Sequence, residues 1–152
     1  MIEENHIQPE FESSDWPLHI TLVGNFLLDK TEGELIVRLG NTAVNIESID
    51  VRIGDDTLFG PSEDIPVSLV EESTEIMNLQ RQLVDSLSAL DPKYYTPEIV
   101  LDRYRPHVTI QKSARLNKGQ SVNVNNMTLV GLSLNGDPNK RRVIKTFNFN
   151  KG

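Results

Sequence analysis

The chain has 152 residues, no cysteine, a hydrophobic share of 38% and a formal charge of −7. That size and composition fit one soluble domain, or two small lobes around a shared core. They exclude a disulfide framework, a thiolate zinc site and a cysteine nucleophile. No apolar stretch approaches the roughly eighteen residues of a membrane span. The acidic start of the chain has no basic region leading into an apolar one, so it does not read as a secretory signal. The expected location is the cytoplasm, or that of a host cell if the gene is carried by a virus or phage.

The charge is unevenly distributed. Residues 1–91 hold 19 acidic and 4 basic side chains, whereas residues 92–152 hold 3 acidic and 11 basic ones. A basic C-terminal third can form a local anion site, because screening confines the distant negative charges to short range. The acidic remainder speaks against tracking a long RNA backbone, which demands many phosphate contacts. A small anionic ligand fits better.

In chain order, residues 18–23 alternate apolar and polar positions and predict a half-buried strand. Residues 31–39 predict a short helix with Thr31 as N-cap, Glu34 completing a capping box and Gly40-Asn41 as its stop. Ile46, Ile49, Val51 and Ile53 indicate a strand running to a turn at Leu58-Phe59-Gly60-Pro61, and residues 65–70 another strand. Residues 71–90 form the clearest helix: Ile76, Leu79, Leu83, Leu87 and Leu90 fall at helical spacing, Ser73 or Thr74 caps the start, and Pro92 lies past the end. A loop follows around Tyr94-Tyr95-Thr96-Pro97. Residues 104–110 then predict a strand, 122–134 one long or two bent strands, and 143–149 a terminal strand. The order is βαββ followed by αβββ, a loose internal duplication with no linker between the halves.

Each half carries the same four-residue pattern. Of three histidines, two lie in His-apolar-Thr-apolar: His19-Ile20-Thr21-Leu22 and His107-Val108-Thr109-Ile110. Chance would place one histidine so about once in a hundred, and two of three on the order of a few times in ten thousand. On a strand, residues i and i+2 share a face, so each histidine stands beside its threonine while the aliphatic residues anchor inward. Phosphodiester cleavage needs a base for the nucleophile and an acid for the leaving oxygen. Histidine serves as either near neutral pH. The threonine hydroxyls are placed to donate to non-bridging oxygens as charge builds on them. None of the usual metal-binding signatures, such as HExxH or CxxC, occurs, and no metal or other cofactor is expected.

These residues resemble the 2H phosphoesterase superfamily, which includes LigT-like 2'-5' RNA ligases and cyclic nucleotide phosphodiesterases. Trp16-Pro17-Leu18-His19-Ile20-Thr21-Leu22 is similar to its first motif and Arg105-Pro106-His107-Val108-Thr109-Ile110 to its second. Leu58-Phe59-Gly60-Pro61 is similar to a turn of the family, and the resemblance spans roughly residues 16–150. It implies an α+β fold of two pseudo-symmetric antiparallel-sheet lobes with flanking helices around a central cleft, forming one domain over residues 1–152. It also implies His19 and His107 as acid and base, and Thr21 and Thr109 as phosphate-binding hydroxyls. Lys112 stands where many relatives carry a basic residue, often arginine, so a bidentate grip on phosphate is lost there.

Arg105 shares strand parity with His107 and is a candidate phosphate contact beside Lys112. Phe59 and Tyr95, in expected loops, are candidate platforms for a nucleobase. Trp16 could instead pack beneath the first strand, and Tyr104 has the parity of core-facing Val108. Arg115 and the Lys140-Arg141-Arg142 run read as solvated turn charges. His6 lies in a polar N-terminal segment and has no assigned role. The expected substrate is a small nucleotide: a 2',3'-cyclic phosphate, a 2'-5' linkage or a cyclic oligonucleotide. The competing readings are an RNA ligase acting on RNA ends and a catalytically silent nucleotide-binding module. A monomer with no membrane partner is expected.

Overall fold

The computed structural model describes residues 10–12, 15–97, 103–132 and 136–150. In chain order the elements are β1 (Glu10–Glu12), β2 (Phe26–Leu27), α1 (Glu32–Ala43), β3 (Ile49–Phe59), β4 (Ile65–Val70), α2 (Thr74–Ser88), β5 (Lys93–Tyr94), β6 (His107–Thr109), β7 (Ser121–Val124), β8 (Asn126–Leu132) and β9 (Lys140–Asn148). The strands form three antiparallel sheets, ordered β6-β4-β3-β7, β1-β9-β8 and β2-β5. This is the expected α+β architecture, two helices with antiparallel sheets, though the sheets are unequal in size.

Local chemistry explains most boundaries. Thr31 caps α1 as expected, its Oγ1 accepting from the Glu34 amide at 3.2 Å. Gly40 and Asn41 do not stop the helix, which runs on to Ala43. Gly40 is a packing position rather than a terminator: a Cβ there would lie 3.6 Å from the Phe147 ring. Ser73 caps α2 by accepting from the Ile76 amide at 3.2 Å. The face of α2 bearing Ile76, Leu79, Leu83 and Leu87 is buried, as its spacing requires. It packs in one core with Leu35 and Leu39 of α1, with Ile49, Val51 and Ile53 of β3, and with Val108, Val122 and Phe147.

β3 is long enough to serve two partners. Its first half pairs with β7, from Ile49 opposite Val124, and its second half pairs with β4, with an irregularity between Ile53 and Asp56. Such a bulge bends the strand and re-aims its neighbours. The 122–134 expectation resolves into two strands in different sheets, broken at Asn125; Leu134 lies outside the described residues. β9 starts earlier than expected, so Lys140, Arg141 and Arg142 are strand residues rather than turn charges. They pair with Glu12, Phe11 and Glu10 of β1. Lys140 Nζ reaches Glu12 at 3.1 Å, and Arg142 forms an ion pair with Glu32 at the start of α1. The three short strands β1, β2 and β5 have too few residues to show a period, which is why alternation did not reveal them. Among the described residues no helix is long and apolar enough to cross a membrane.

Glycine inside a helix costs conformational entropy relative to alanine, and the Phe147 contact at 3.6 Å is ordinary van der Waals packing. Gly40→Ala is therefore expected to raise the unfolding free energy by about 0.5–1 kcal/mol. Urea unfolding at fixed pH measures it, and a lower midpoint would show that the Phe147 ring cannot accommodate a methyl group.

Candidate active site

The first motif does not form the strand expected over residues 18–23. A single bridge, Ile20 opposite Val108, joins it to β6. The second motif is likewise shorter than the expected 104–110, because only His107–Thr109 pairs in a ladder. Within that ladder Leu69 of β4 stands opposite His107 and Val67 opposite Thr109. The sheet therefore carries the second motif, and the second motif carries the first.

One antiparallel pair is enough to set the site. With Ile20 opposite Val108, His19 falls opposite Thr109 and Thr21 opposite His107, and side chains across such a pair share a face. Val108 is only 2% exposed and points into the core. The four polar residues flanking the aliphatic pair consequently lie on the other face. Each histidine has its own threonine two residues away and the other motif's threonine across the pair. The two histidines are diagonal neighbours, a relationship that typically separates Cβ atoms by about 7–8 Å.

Both imidazoles are held in the same way. His19 Nδ1 lies 2.7 Å from the Pro17 carbonyl and His107 Nδ1 lies 2.8 Å from the Arg105 carbonyl. A carbonyl only accepts, so Nδ1 carries the proton in each ring and donates it. Nε2 is left with its lone pair when the ring is neutral and with a transferable proton when it is charged. Each ring also rests on an aromatic neighbour. Trp16 packs on His19 at 4.9 Å between centroids and is met edge-on by Phe11, while Phe59 meets His107 edge-on at 4.6 Å.

The other expected site residues divide by location. Phe59 and Arg105 come together beside His107, with the Arg105 guanidinium 5.1 Å from the Phe59 ring centroid. Tyr95 is exposed and sits beside the other motif: its amide bonds the Asn25 carbonyl at 3.0 Å. It lines a cavity of about 720 Å³ shared with His19, Thr21 and Leu27, whose walls continue into Val108 and Leu129. Lys112 is exposed just past β6, apart from the ladder. Arg115 is exposed, as expected, but paired: its Nη2 reaches both oxygens of Asp56 at 2.9 and 3.0 Å, and Asp56 also accepts from buried Ser68 at 2.8 Å. His6 lies outside the described residues. Two side chains given no role in the sequence bind the motif directly. Tyr104 donates to the Thr21 carbonyl at 2.7 Å and Gln111 to the Trp16 carbonyl at 2.7 Å. No local pattern announces contacts that span 83 and 95 residues. Among the described residues no group of three or more His, Asp or Glu side chains converges as a metal site requires.

Burial holds the His19 pKa below its ordinary value of 6.5. The hydrogen bond to Pro17 pulls upward, and the charge of His107 adds to the lowering. His19 is therefore neutral near neutral pH. In the unfolded chain it takes its proton near 6.5, and in the folded chain only at lower pH. Between those two values the unfolded state binds more protons, so stability rises with pH there and levels off above about 6.5. Urea midpoints measured across that range are expected to show the rise in the native chain, with a smaller one in His19→Gln. An equal slope in both would mean that the His19 pKa is not lowered by folding.

The model of the 2'-5' RNA ligase superfamily matches residues 5–123. No protein of curated function matches the sequence. Among solved structures, TT0787 of Thermus thermophilus is similar with a TM-score of 0.56 at 18% identity, over 95% of this chain and 84% of that one. A structure described as a phosphoesterase gives 0.57 at 16% identity over 88% and 78%. Escherichia coli LigT complexed with NADP+ gives 0.54 at 16% identity over 88% and 77%. At these identities the structures establish a shared fold. The family match covers most of the chain and both paired motifs, and the chain belongs to the 2'-5' RNA ligase superfamily, the LigT-like 2H phosphoesterases.

Proposed function

We propose that this chain is a metal-independent phosphodiesterase that opens a phosphodiester in a small nucleotide by two-histidine acid–base catalysis. The observation that carries the reading is the pairing of Ile20 with Val108, which interleaves two His-Thr pairs while both Nδ1 atoms are tied to carbonyls. With Nδ1 bound in each ring, the two Nε2 atoms are the ones left to act on a phosphate. One removes a proton from water or a ribose 2'-hydroxyl; the other delivers a proton to the departing ribose oxygen. The lowered pKa of His19 suits it to the base in the hydrolytic direction, with His107 as acid. Thr21 and Thr109 donate to the non-bridging oxygens. Arg105, presented on the Phe59 ring, supplies a cation at the same end as His107.

Charge placement favours a small substrate over an RNA polymer. Arg115, Lys118, Lys140 and Arg142, four cations of the basic C-terminal third, are engaged by Asp56, Asp55, Glu12 and Glu32. A polymer site needs a continuous basic track, and these pairs interrupt one. The cavity beside His19 takes in Thr21, Leu27 and Tyr95 but not His107, Thr109, Phe59 or Arg105, so it offers an apolar wall at the first motif only. Similar folds take nucleotides: LigT of E. coli has been crystallised with NADP+ and with 3'-AMP. The expected substrates are 2',3'-cyclic phosphates, 2'-5' linkages and cyclic oligonucleotides.

The test is an assay in EDTA against a panel of these three classes. Turnover of at least one class is expected, with His19→Ala and His107→Ala each losing it essentially completely. Thr21→Val or Thr109→Val should cost about 10²–10³-fold in kcat, as loss of one charge-stabilising donor does elsewhere. Activity that survives either histidine substitution, or that vanishes on chelation, would sink the mechanism. Binding of the whole panel without turnover would indicate a silent nucleotide-binding module.

A further inference from the structure

We infer that Tyr104 and Gln111 are positioning residues that clamp the first motif against the second and thereby set where His19 stands relative to His107. The inference rests on the proposed two-histidine chemistry for its meaning, and on main-chain geometry for its evidence. A ladder extended at the register of the Ile20–Val108 bridge would place Pro17 opposite Gln111 and Val23 opposite Arg105. Neither position can serve. Pro17 has no N–H, and its carbonyl receives His19 Nδ1; the Gln111 amide is turned to the Ala114 carbonyl at 2.9 Å. At the other end the Arg105 carbonyl receives His107 Nδ1. The carbonyls that orient the two imidazoles are thus the ones withdrawn from strand pairing.

Side chains take over where the ladder fails. Gln111 Nε2 donates to the Trp16 carbonyl and the Tyr104 hydroxyl to the Thr21 carbonyl, each at 2.7 Å. Trp16 and Thr21 bracket His19, so the segment is held at both ends with the imidazole between. Burial pushes the Tyr104 pKa up, so its hydroxyl remains a donor throughout the working pH range. Both act through main-chain atoms of the first motif.

Tyr104→Phe and Gln111→Met remove one donor each and preserve shape. Tyr94→Phe is the matched control, because the Tyr94 hydroxyl is buried and has no hydrogen-bond partner among the described residues. The primary measurement is NMR titration of the two imidazole Cε1 protons. Releasing the segment admits water to His19, so its midpoint should climb towards 6.5 in Tyr104→Phe and Gln111→Met, further in the double variant, and stay native in the control. A displacement of about 1 Å commonly costs on the order of 10²-fold in rate, so kcat should fall at least tenfold with little change in KM. Native His19 titration in both variants would overturn the proposal. So would equal movement of both histidines, which would mark general loosening. Because the titration needs no substrate, it stands even if every nucleotide in the panel proves inert.

Discussion

An imidazole ring becomes a defined acid or base only when one of its nitrogens is fixed, and here a main-chain carbonyl two residues earlier fixes each. His19 uses Pro17 and His107 uses Arg105, at 2.7 and 2.8 Å. This constraint shapes everything around it. A carbonyl turned to a side chain in this direction is less well aimed at a neighbouring strand, and the pairing does not extend through these two residues. The result is a second-motif strand reduced to three residues and a first-motif segment joined to it by one bridge. Backbone groups must be satisfied somewhere. Side-chain amide and phenol groups from Gln111 and Tyr104 satisfy two of them.

The same trade explains the placement of the core. A segment with one main-chain pair needs apolar anchoring to stay in place. Ile20 and Leu22 provide it from the motif itself, packed on the cluster that contains Val108. The aliphatic positions of His-apolar-Thr-apolar are therefore as necessary as the polar ones. α2 supports them from below: Ile76, Leu79 and Leu87 are essentially inaccessible, and they back the sheet that carries β6. The Arg115–Asp56–Ser68 cluster ties β3 and β4 together just beyond the bulge. Its position, with Ser68 opposite Val108, stiffens the strand next to the second motif.

Much of this was legible in the sequence, and the failures share a cause. α2 was readable because its apolar residues recur at helical spacing over four turns, and the caps at Thr31 and Ser73 because a hydroxyl before a helical run has one purpose. The paired motifs were readable because identical local patterns are improbable. What could not be read was pairing. Alternation in residues 18–23 signals a strand whether or not a partner is available to it. The prolines at 17 and 106 and the carbonyls taken by histidines are what deny it one. The Lys140-Arg141-Arg142 run looked like a solvated turn because nothing local reveals that Glu12 and Glu32 meet it in space. Gly40-Asn41 looked like a stop because a glycine needed for a ring contact and one needed for a turn are the same letter.

The duplicated motif also raises a question of symmetry that only the surroundings answer. Two tetrads of one pattern, paired antiparallel, would make two equivalent imidazoles, whereas acid–base catalysis of the proposed kind needs one ring neutral and one charged at the same moment. The tetrads cannot supply the difference, so their neighbours must. His19 lies against Trp16, itself backed by Phe11, in a setting that excludes water and holds its pKa down. His107 lies against Phe59, whose ring carries the Arg105 guanidinium. The two rings therefore differ in their surroundings, with an aromatic stack at the first and a guanidinium-bearing ring at the second. The difference between the two imidazoles is then a property of the residues flanking the motifs rather than of the motifs themselves.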